Sequence, residues 1–311
     1  MQSNYADRLI EAVLKKGNPC IVGLDPRMDQ MPDFAVSSPR GDQESAVRSS
    51  IAAYHRCVID AVADLIPGVK LQSAFYEQYG MGGMAAFHDT VEYAKRMGLV
   101  VIVDAKRNDI ASTAEAYANT FLGRTRIFGE LKPIVDADCI TVSPYLGRDS
   151  IEPFVKACAQ YGKGIFVLVK TSNPGSADLQ DIKLGDGMAM YRRVIEMVNS
   201  CGAGLIGRHG YSSIGAVVGA PFPEEARVIR RLMPRSIFLV PGYGAQGATA
   251  ADAAACFNAD GLGAVVNASR SLTYGLESRS APEEKVGEEI RKRTETMARE
   301  ITEAIALSVS K

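Results

Sequence analysis

The stretch DAKRNDI, residues 104–110, sets Asp104, Lys106 and Asp109 directly behind the apolar run Leu99 to Val103. In an extended segment, residues two apart point to the same side. Asp104 and Lys106 therefore project together, and Ala105 turns away. Such charges are costly inside a core, but not where a strand opens onto a substrate. An ammonium fixed beside a carboxylate can stabilise developing negative charge and deliver a proton. The plain alternative is a buried salt bridge that fixes strand register. Asp109 falls where the next helix should begin, a favourable place for a carboxylate. Ile110 and Thr113 then lie on that helix.

Other polar residues stand near the ends of apolar runs. Asp25 closes CIVGLD, Lys70 lies in GVKLQ, and Ser172 closes GIFVLVKTS. The glycine-rich PGYGAQG, residues 241–247, follows one apolar run, and Ser269-Arg270-Ser271 follows the next. Glycines let backbone N–H groups approach an anion, and an arginine offers a fork of donors. A glycine-rich turn alone is a weak signal. Paired with Arg270 it suits a phosphate, with Gly242, Gly244 and Gln246 as candidate contacts. Glu77 reads as structural and Asn173 as a turn residue before Pro-Gly. His55, His88 and His209 lie away from strand ends and read as surface or capping residues.

These side chains need a frame that gathers strand ends. Eight apolar runs are present: Cys20–Asp25, Gly68–Gln72, Leu99–Lys106, Asp138–Tyr145, Gly164–Ser172, Gly215–Ala220, Ser236–Gly244 and Gly261–Ser269. Continuous Val/Ile/Leu stretches suit parallel strands buried on both faces. Most gaps have room for one helix. Eight such units within 311 residues point to an α/β fold, a (β/α)₈ TIM barrel. A doubly wound sheet is the alternative, but no GxGxxG follows the first run. Residues 26–48 and 173–187 read as long loops at the catalytic face, of the kind that form lids. Residues 284–311 read as one charged amphipathic helix. No boundary divides the chain, so residues 1–311 read as one barrel domain with a C-terminal helix.

Composition narrows the function. The net charge of -1 gives no basic excess for nucleic acid. No apolar run approaches the roughly 18 residues of a membrane span. The opening MQSNYADRLIEAVLKKG carries Asp7 and Glu11 and reads as neither a secretory signal nor a transit peptide. The six cysteines form no CxxC pair and have no zinc-ligand spacing, so they read as reduced apolar side chains. A cytoplasmic location is expected.

Asp-x-Lys-x-x-Asp-Ile-x-x-Thr, residues 104–113, resembles the signature of orotidine 5'-phosphate decarboxylases. GLDPR (23–27), VKLQSAFYEQYG (69–80), KTSNPGSADLQ (170–180), GAVVGA (215–220), PGYGAQG and NASRS (267–271) agree with it in order. The resemblance covers nearly the whole chain, and the SNPG and PGYGAQG forms look like the longer bacterial branch, type 2. It implies a cofactor-independent and metal-independent carboxy-lyase acting in pyrimidine biosynthesis, converting orotidine 5'-monophosphate to UMP and CO₂. It also implies a homodimer whose subunits complete each other's active sites. On matching positions, Lys106 is the implied proton donor within a charged array of Lys70, Asp104, Lys106 and Asp109. Asp109, Ile110 and Thr113 would reach the partner's site. Asp25 and Lys70 would hold the ribose hydroxyls and Ser172 the pyrimidine. Arg270 and the Gly242–Gly247 loop would hold the phosphate. The competing readings are a magnesium-dependent sugar-phosphate decarboxylase or aldolase of the same superfamily, and a non-catalytic nucleotide-binding barrel.

Overall fold

The computed structural model describes residues 3–36, 42–244 and 247–309. Eight parallel strands close into a barrel: Cys20–Leu24, Gly68–Gln72, Val100–Arg107, Cys139–Val142, Gly164–Lys170, Ser212–Val218, Ser236–Val240 and Ala264–Ala268. They are called the first to eighth strands below. Each lies beside its neighbours in the chain, and the eighth closes onto the first, with Ile21 opposite Asn267. All eight expected runs supply a strand, with shifted ends. The eighth starts three residues late because Gly261 and Gly263 take left-handed backbone in the preceding turn. The sixth starts early, at two buried serines. Ser212 Oγ donates to Gly202 O and Ser213 Oγ donates to Asn4 Oδ1. Hydroxyls satisfied in this way can enter a core without an apolar signature.

Helices cover the outside of the barrel. Among them are Gln43–Val62, Gly80–Arg96, Ala111–Phe121, Arg148–Tyr161, Met190–Gly202 and Pro223–Leu232. With apolar partners inside and outside, the strands bury both faces, which is why they read as continuous apolar runs. A short antiparallel hairpin, Thr125–Ile127 with Glu130–Lys132, interrupts the path from the third strand to the fourth.

Two terminal helices complete the frame. Tyr5–Lys16 plugs the end of the barrel remote from the strand C-termini. Tyr5, Leu9 and Ile10 pack with Ile21, Ile102, Phe166 and Ile237 of the barrel interior. A Cβ on Gly164 would lie 2.1 Å from the Tyr5 ring, so only glycine fits beneath the plug. Asp7 pins the helix by accepting the N–H groups of Arg208 and His209, both at 3.1 Å. The C-terminal helix runs Glu283–Val309 and buries Val286, Ile290, Thr294, Met297, Ile301 and Ile305 at three- and four-residue steps. It packs against Gln43–Val62 and Ala250–Ala254. Among the described residues, no helix is long and apolar enough to cross a membrane.

Two expectations change. His55 is neither a surface nor a capping residue: it is 2% exposed, in the core between the Gln43–Val62 helix and Tyr76. Its polarity is tolerated because Nδ1 lies 3.0 Å from the Tyr76 hydroxyl. The same hydroxyl lies 3.0 Å from Leu24 O, so the imidazole, the phenol and a backbone carbonyl satisfy one another inside the core. The stretch 26–48 is also not a simple loop. It holds two 3₁₀ turns, Met28–Gln30 and Asp33–Ala35, and a helix starts at Gln43, where the Asp42 side chain accepts Glu44 N–H.

Candidate active site

The C-terminal ends of the strands surround a cavity of about 690 Å³. Leu168, Val217 and Leu239, from the fifth, sixth and seventh strands, contribute apolar walls. The opposite side is charged. Asp25 follows the first strand, Lys70 stands on the second, and Asp104 and Lys106 stand on the third.

Lys70 is 5% exposed and bridges two carboxylates, with Nζ 3.3 Å from Asp104 Oδ2 and 3.7 Å from Asp25 Oδ1. Asp104 collects further donors. Lys106 Nζ lies 2.7 Å and Thr141 Oγ1 2.8 Å from Oδ1, and Gln72 Nε2 lies 3.1 Å from Oδ2. Burial by itself would favour the neutral acid. The two ammonium groups and the hydrogen bonds outweigh it, so the Asp104 carboxyl stays well below the usual carboxylate range. Burial opposes the charge on Lys70 as well, but Asp25 and Asp104 raise its pKa above the ordinary lysine value. The result is an alternating chain of Asp25, Lys70, Asp104 and Lys106 in which every charge faces its opposite.

The side-by-side meeting of Asp104 and Lys106 is present, but on a bent strand rather than an ideal one. Lys106 takes a left-handed backbone, φ 47°, and the pairing of the third and fourth strands is irregular between Val103 and Arg107. Thr141 on the fourth strand anchors this bend, accepting Lys106 N–H at 2.9 Å while donating to Asp104. Non-glycine residues in that region cost roughly 1–3 kcal/mol and persist where their surroundings hold them. The bend keeps the Lys106 ammonium on Asp104, while its side chain remains 45% exposed at the cavity.

The fifth strand runs into the second loop, whose Ser172, Asn173, Gly175 and Ser176 line the cavity. This loop is tied at its base and carries its own helical turns, Pro174–Ser176 and Ala177–Gln180. Lys170 Nζ binds both oxygens of Asp181, at 2.5 and 2.7 Å, and Gln180 pairs with Thr171 N and Oγ1. Gly242, Tyr243 and Arg270, which follow the seventh and eighth strands, also line the cavity. Gly242 and Gly244 both need positive φ, 104° and 71°. Gly244 lines a neighbouring cleft with Ser271 rather than the main cavity. Gln246 lies outside the described residues.

Asp109, Ile110 and Thr113 do not line the cavity. Asp109 Oδ1 accepts Ile110 N–H at 2.8 Å, and Ile110 is 51% exposed. Several residues in and behind the cavity wall escaped the sequence reading. Gln72 and Thr141 complete the Asp104 shell, and the Arg27 guanidinium sits 4.6 Å over the Phe75 ring. Asn267 is buried, and its Oδ1, like Asp25 Oδ1, has no hydrogen-bond partner among the described residues. Asn267 breaks the apolar run AVVNA, and that break was its available signal. Among the described residues, no three His, Cys, Asp or Glu side chains group so as to hold a metal ion.

Comparison with known proteins agrees with this geometry. The orotidine 5'-phosphate decarboxylase / HUMPS family matches residues 21–284. Orotidine 5'-phosphate decarboxylase of Rhodopirellula baltica is 46% identical, over 87% of this chain and 88% of its own. That of Caldicellulosiruptor bescii is 43% identical, over 88% and 91%. The solved structure of Leishmania donovani OMP decarboxylase superposes with a TM-score of 0.72 at 30% identity, covering 97% of this chain and 99% of that one. With a closed eight-stranded barrel, a charged Asp-Lys-Asp-Lys array at its mouth and a match across most of its length, this chain belongs to the orotidine 5'-phosphate decarboxylase / HUMPS family.

Proposed function

We propose that this enzyme is a carboxy-lyase that converts orotidine 5'-monophosphate to UMP and CO₂, the last step of de novo UMP synthesis, without a cofactor. The observation that carries this reading is the chain from Lys70 through Asp104 to Lys106 at one wall of the cavity. The C6–carboxylate bond breaks and leaves its electron pair on C6, in the plane of the ring. No ring orbital absorbs that charge, so an external cation must stabilise it. Lys106 supplies that cation, then transfers an Nζ proton to C6 and recovers one from solvent.

The array also sets limits on Asp104. A bare carboxylate about 4 Å from the substrate carboxylate would repel it by about 4 kcal/mol at an effective dielectric near 20. Two ammonium groups already screen Asp104, so the net repulsion is smaller. Enzymes lower barriers by about 8–23 kcal/mol or more. The greater service of Asp104 is to hold Lys106 charged and in place before the reaction starts.

The remaining roles follow the same reading. Asp25 and Lys70 bind the ribose, Ser172 the pyrimidine, and Arg270 with the Gly242–Gly247 loop the phosphate. Asp109, Ile110 and Thr113 do not line their own cavity and would complete the site of a second copy in a homodimer. Residues 1–311 act as one barrel domain, of the longer bacterial type, working in the cytoplasm. A magnesium-dependent sugar-phosphate enzyme on the same barrel has less support, because the relatives above carry the decarboxylase name.

The test follows loss of orotidine monophosphate absorbance. The expected outcome is turnover by wild type in EDTA, and loss of nearly all activity in a folded Lys106→Ala protein. Dependence on added magnesium, or a Lys106→Ala enzyme of near-normal rate, refutes the reading. For the shared site, mixing Lys106→Ala with Asp109→Ala should restore part of the activity through hybrid dimers. If subunits exchange and no activity returns, each site is built from one chain.

A further inference from the structure

The groups assigned to the phosphate follow the seventh and eighth strands, whereas the groups around C6 stand on the second and third, with the first strand between them. Binding energy gained at the phosphate can assist the chemistry only through a stiff connection between the two. The turn that carries Arg270, residues 270–275, supplies such a connection. It is tied down from outside at several points. The Tyr54 hydroxyl donates to Thr273 O, and Arg293 donates to Tyr274 O at 2.8 Å and Gly275 O at 2.7 Å. Tyr274 N–H returns to Arg270 O at 3.1 Å, so Tyr274 and Arg270 close one turn.

The Tyr274 side chain leaves that turn for the first strand. It is 4% exposed and packs on the Tyr54 ring, with centroids 5.8 Å apart. Its hydroxyl accepts Arg27 N–H at 3.0 Å and donates to Asp25 O at 2.9 Å. Pro26 between them has no N–H to offer. One hydroxyl therefore staples the backbone on both sides of Pro26. From Asp25 the path continues through Lys70 and Asp104 to Lys106, at 3.7, 3.3 and 2.7 Å.

We propose that Tyr274 is a positioning residue that transmits phosphate binding at Arg270 to the Asp25–Lys70–Asp104–Lys106 array. This rests on the decarboxylase reading above. Occupation of the Arg270 turn fixes Tyr274, which fixes the Asp25–Arg27 backbone and thereby the reacting side of the cavity. Tyr274 does not line the cavity, so its effect is expected in kcat rather than in KM.

The experiment measures kcat and KM for orotidine monophosphate in wild type, Tyr274→Phe, Arg270→Ala and the double variant, with folding checked by circular dichroism. The phenylalanine keeps the ring and removes only the hydroxyl. The expected result is a drop in kcat of about 10-fold for Tyr274→Phe, and no further drop when the same change is made in Arg270→Ala. Three results would overturn the proposal. Unchanged kcat means that the hydroxyl only supports the fold. A rise in KM with kcat intact means that it only holds Arg270. An equal kcat loss in both backgrounds means that it serves Asp25 without reference to phosphate. Should Tyr274→Phe fail to fold, Arg293→Lys loosens the same turn from the helix surface and is judged by the same comparison. A wild type that does not turn over orotidine monophosphate removes the decarboxylase reading itself, an outcome distinct from the other three.

Discussion

Asp104 is the residue on which the charged array depends. It receives two ammonium groups, a hydroxyl and an amide, and it stays ionised through neutral pH. Asp104→Asn keeps the shape and removes the charge. Lys70 and Lys106 then face each other with only Asp25 to compensate, and Lys106 loses its anchor. We expect kcat to fall by at least the roughly 10²–10³ typical of removing one preorganised electrostatic partner. Steady-state rates check this, and an Asn enzyme within tenfold of wild type would show the carboxylate to be dispensable. The pairing of Asp104 with Lys106 was legible in the sequence from their spacing. The left-handed turn at Lys106 was not, because it depends on Thr141, which lies 35 residues further along the chain.

At the scale of elements, the second loop is held by an asymmetric ion pair. Lys170 is 2% exposed, with the Tyr191 and Phe222 rings 5.9 and 5.2 Å from its ammonium, whereas the Asp181 side chain is 42% exposed. Removing either partner therefore has unequal consequences. Asp181→Ala strands a buried cation, which should cost about 1–3 kcal/mol or more. Lys170→Met leaves a carboxylate that water can solvate and should cost less. Urea unfolding of both variants checks the order, and equal losses would mean that the pair is not buried as described. The strand that positions Lys170 was legible as GIFVLVK, an unbroken apolar run. The closure of the loop was not, because Lys170 and Asp181 are 11 residues apart in a segment without periodicity.

The whole molecule should lose stability in acid in two separable stages. Burial pushes His55 down to about 3 from an ordinary value of 6.5. Between those values the unfolded chain binds a proton that the native chain refuses. Stability contributed by His55 is therefore complete above pH 6.5 and drains as pH falls toward 3, with a slope of at most about 1.4 kcal/mol per pH unit. The depressed Asp104 carboxyl adds its loss only below the ordinary carboxylate range. Lys70 acts at the other extreme: its raised value gives stability below its ordinary lysine value, lost as pH climbs through the folded one. Denaturant midpoints from pH 7 to 5 should fall for wild type and flatten for His55→Phe. An unchanged slope in the variant would place the proton uptake elsewhere.

Read alone, the sequence determined the barrel, because parallel strands buried on both faces must be continuous apolar runs and eight of them recur. It also singled out the strand that carries the charged pair, since Asp104 and Lys106 follow such a run with no core partner near them in sequence. Tertiary structure decided what long-range contacts decide. It placed Tyr5–Lys16 as the plug, put His55 in the core, and gave Asp104 its Gln72 and Thr141 donors. It also brought the Arg270 turn to Asp25 through one tyrosine hydroxyl, joining residues 249 apart. Periodicity records which face of an element is buried. It carries no record of which distant side chain meets that face, and the charged array is made from those meetings.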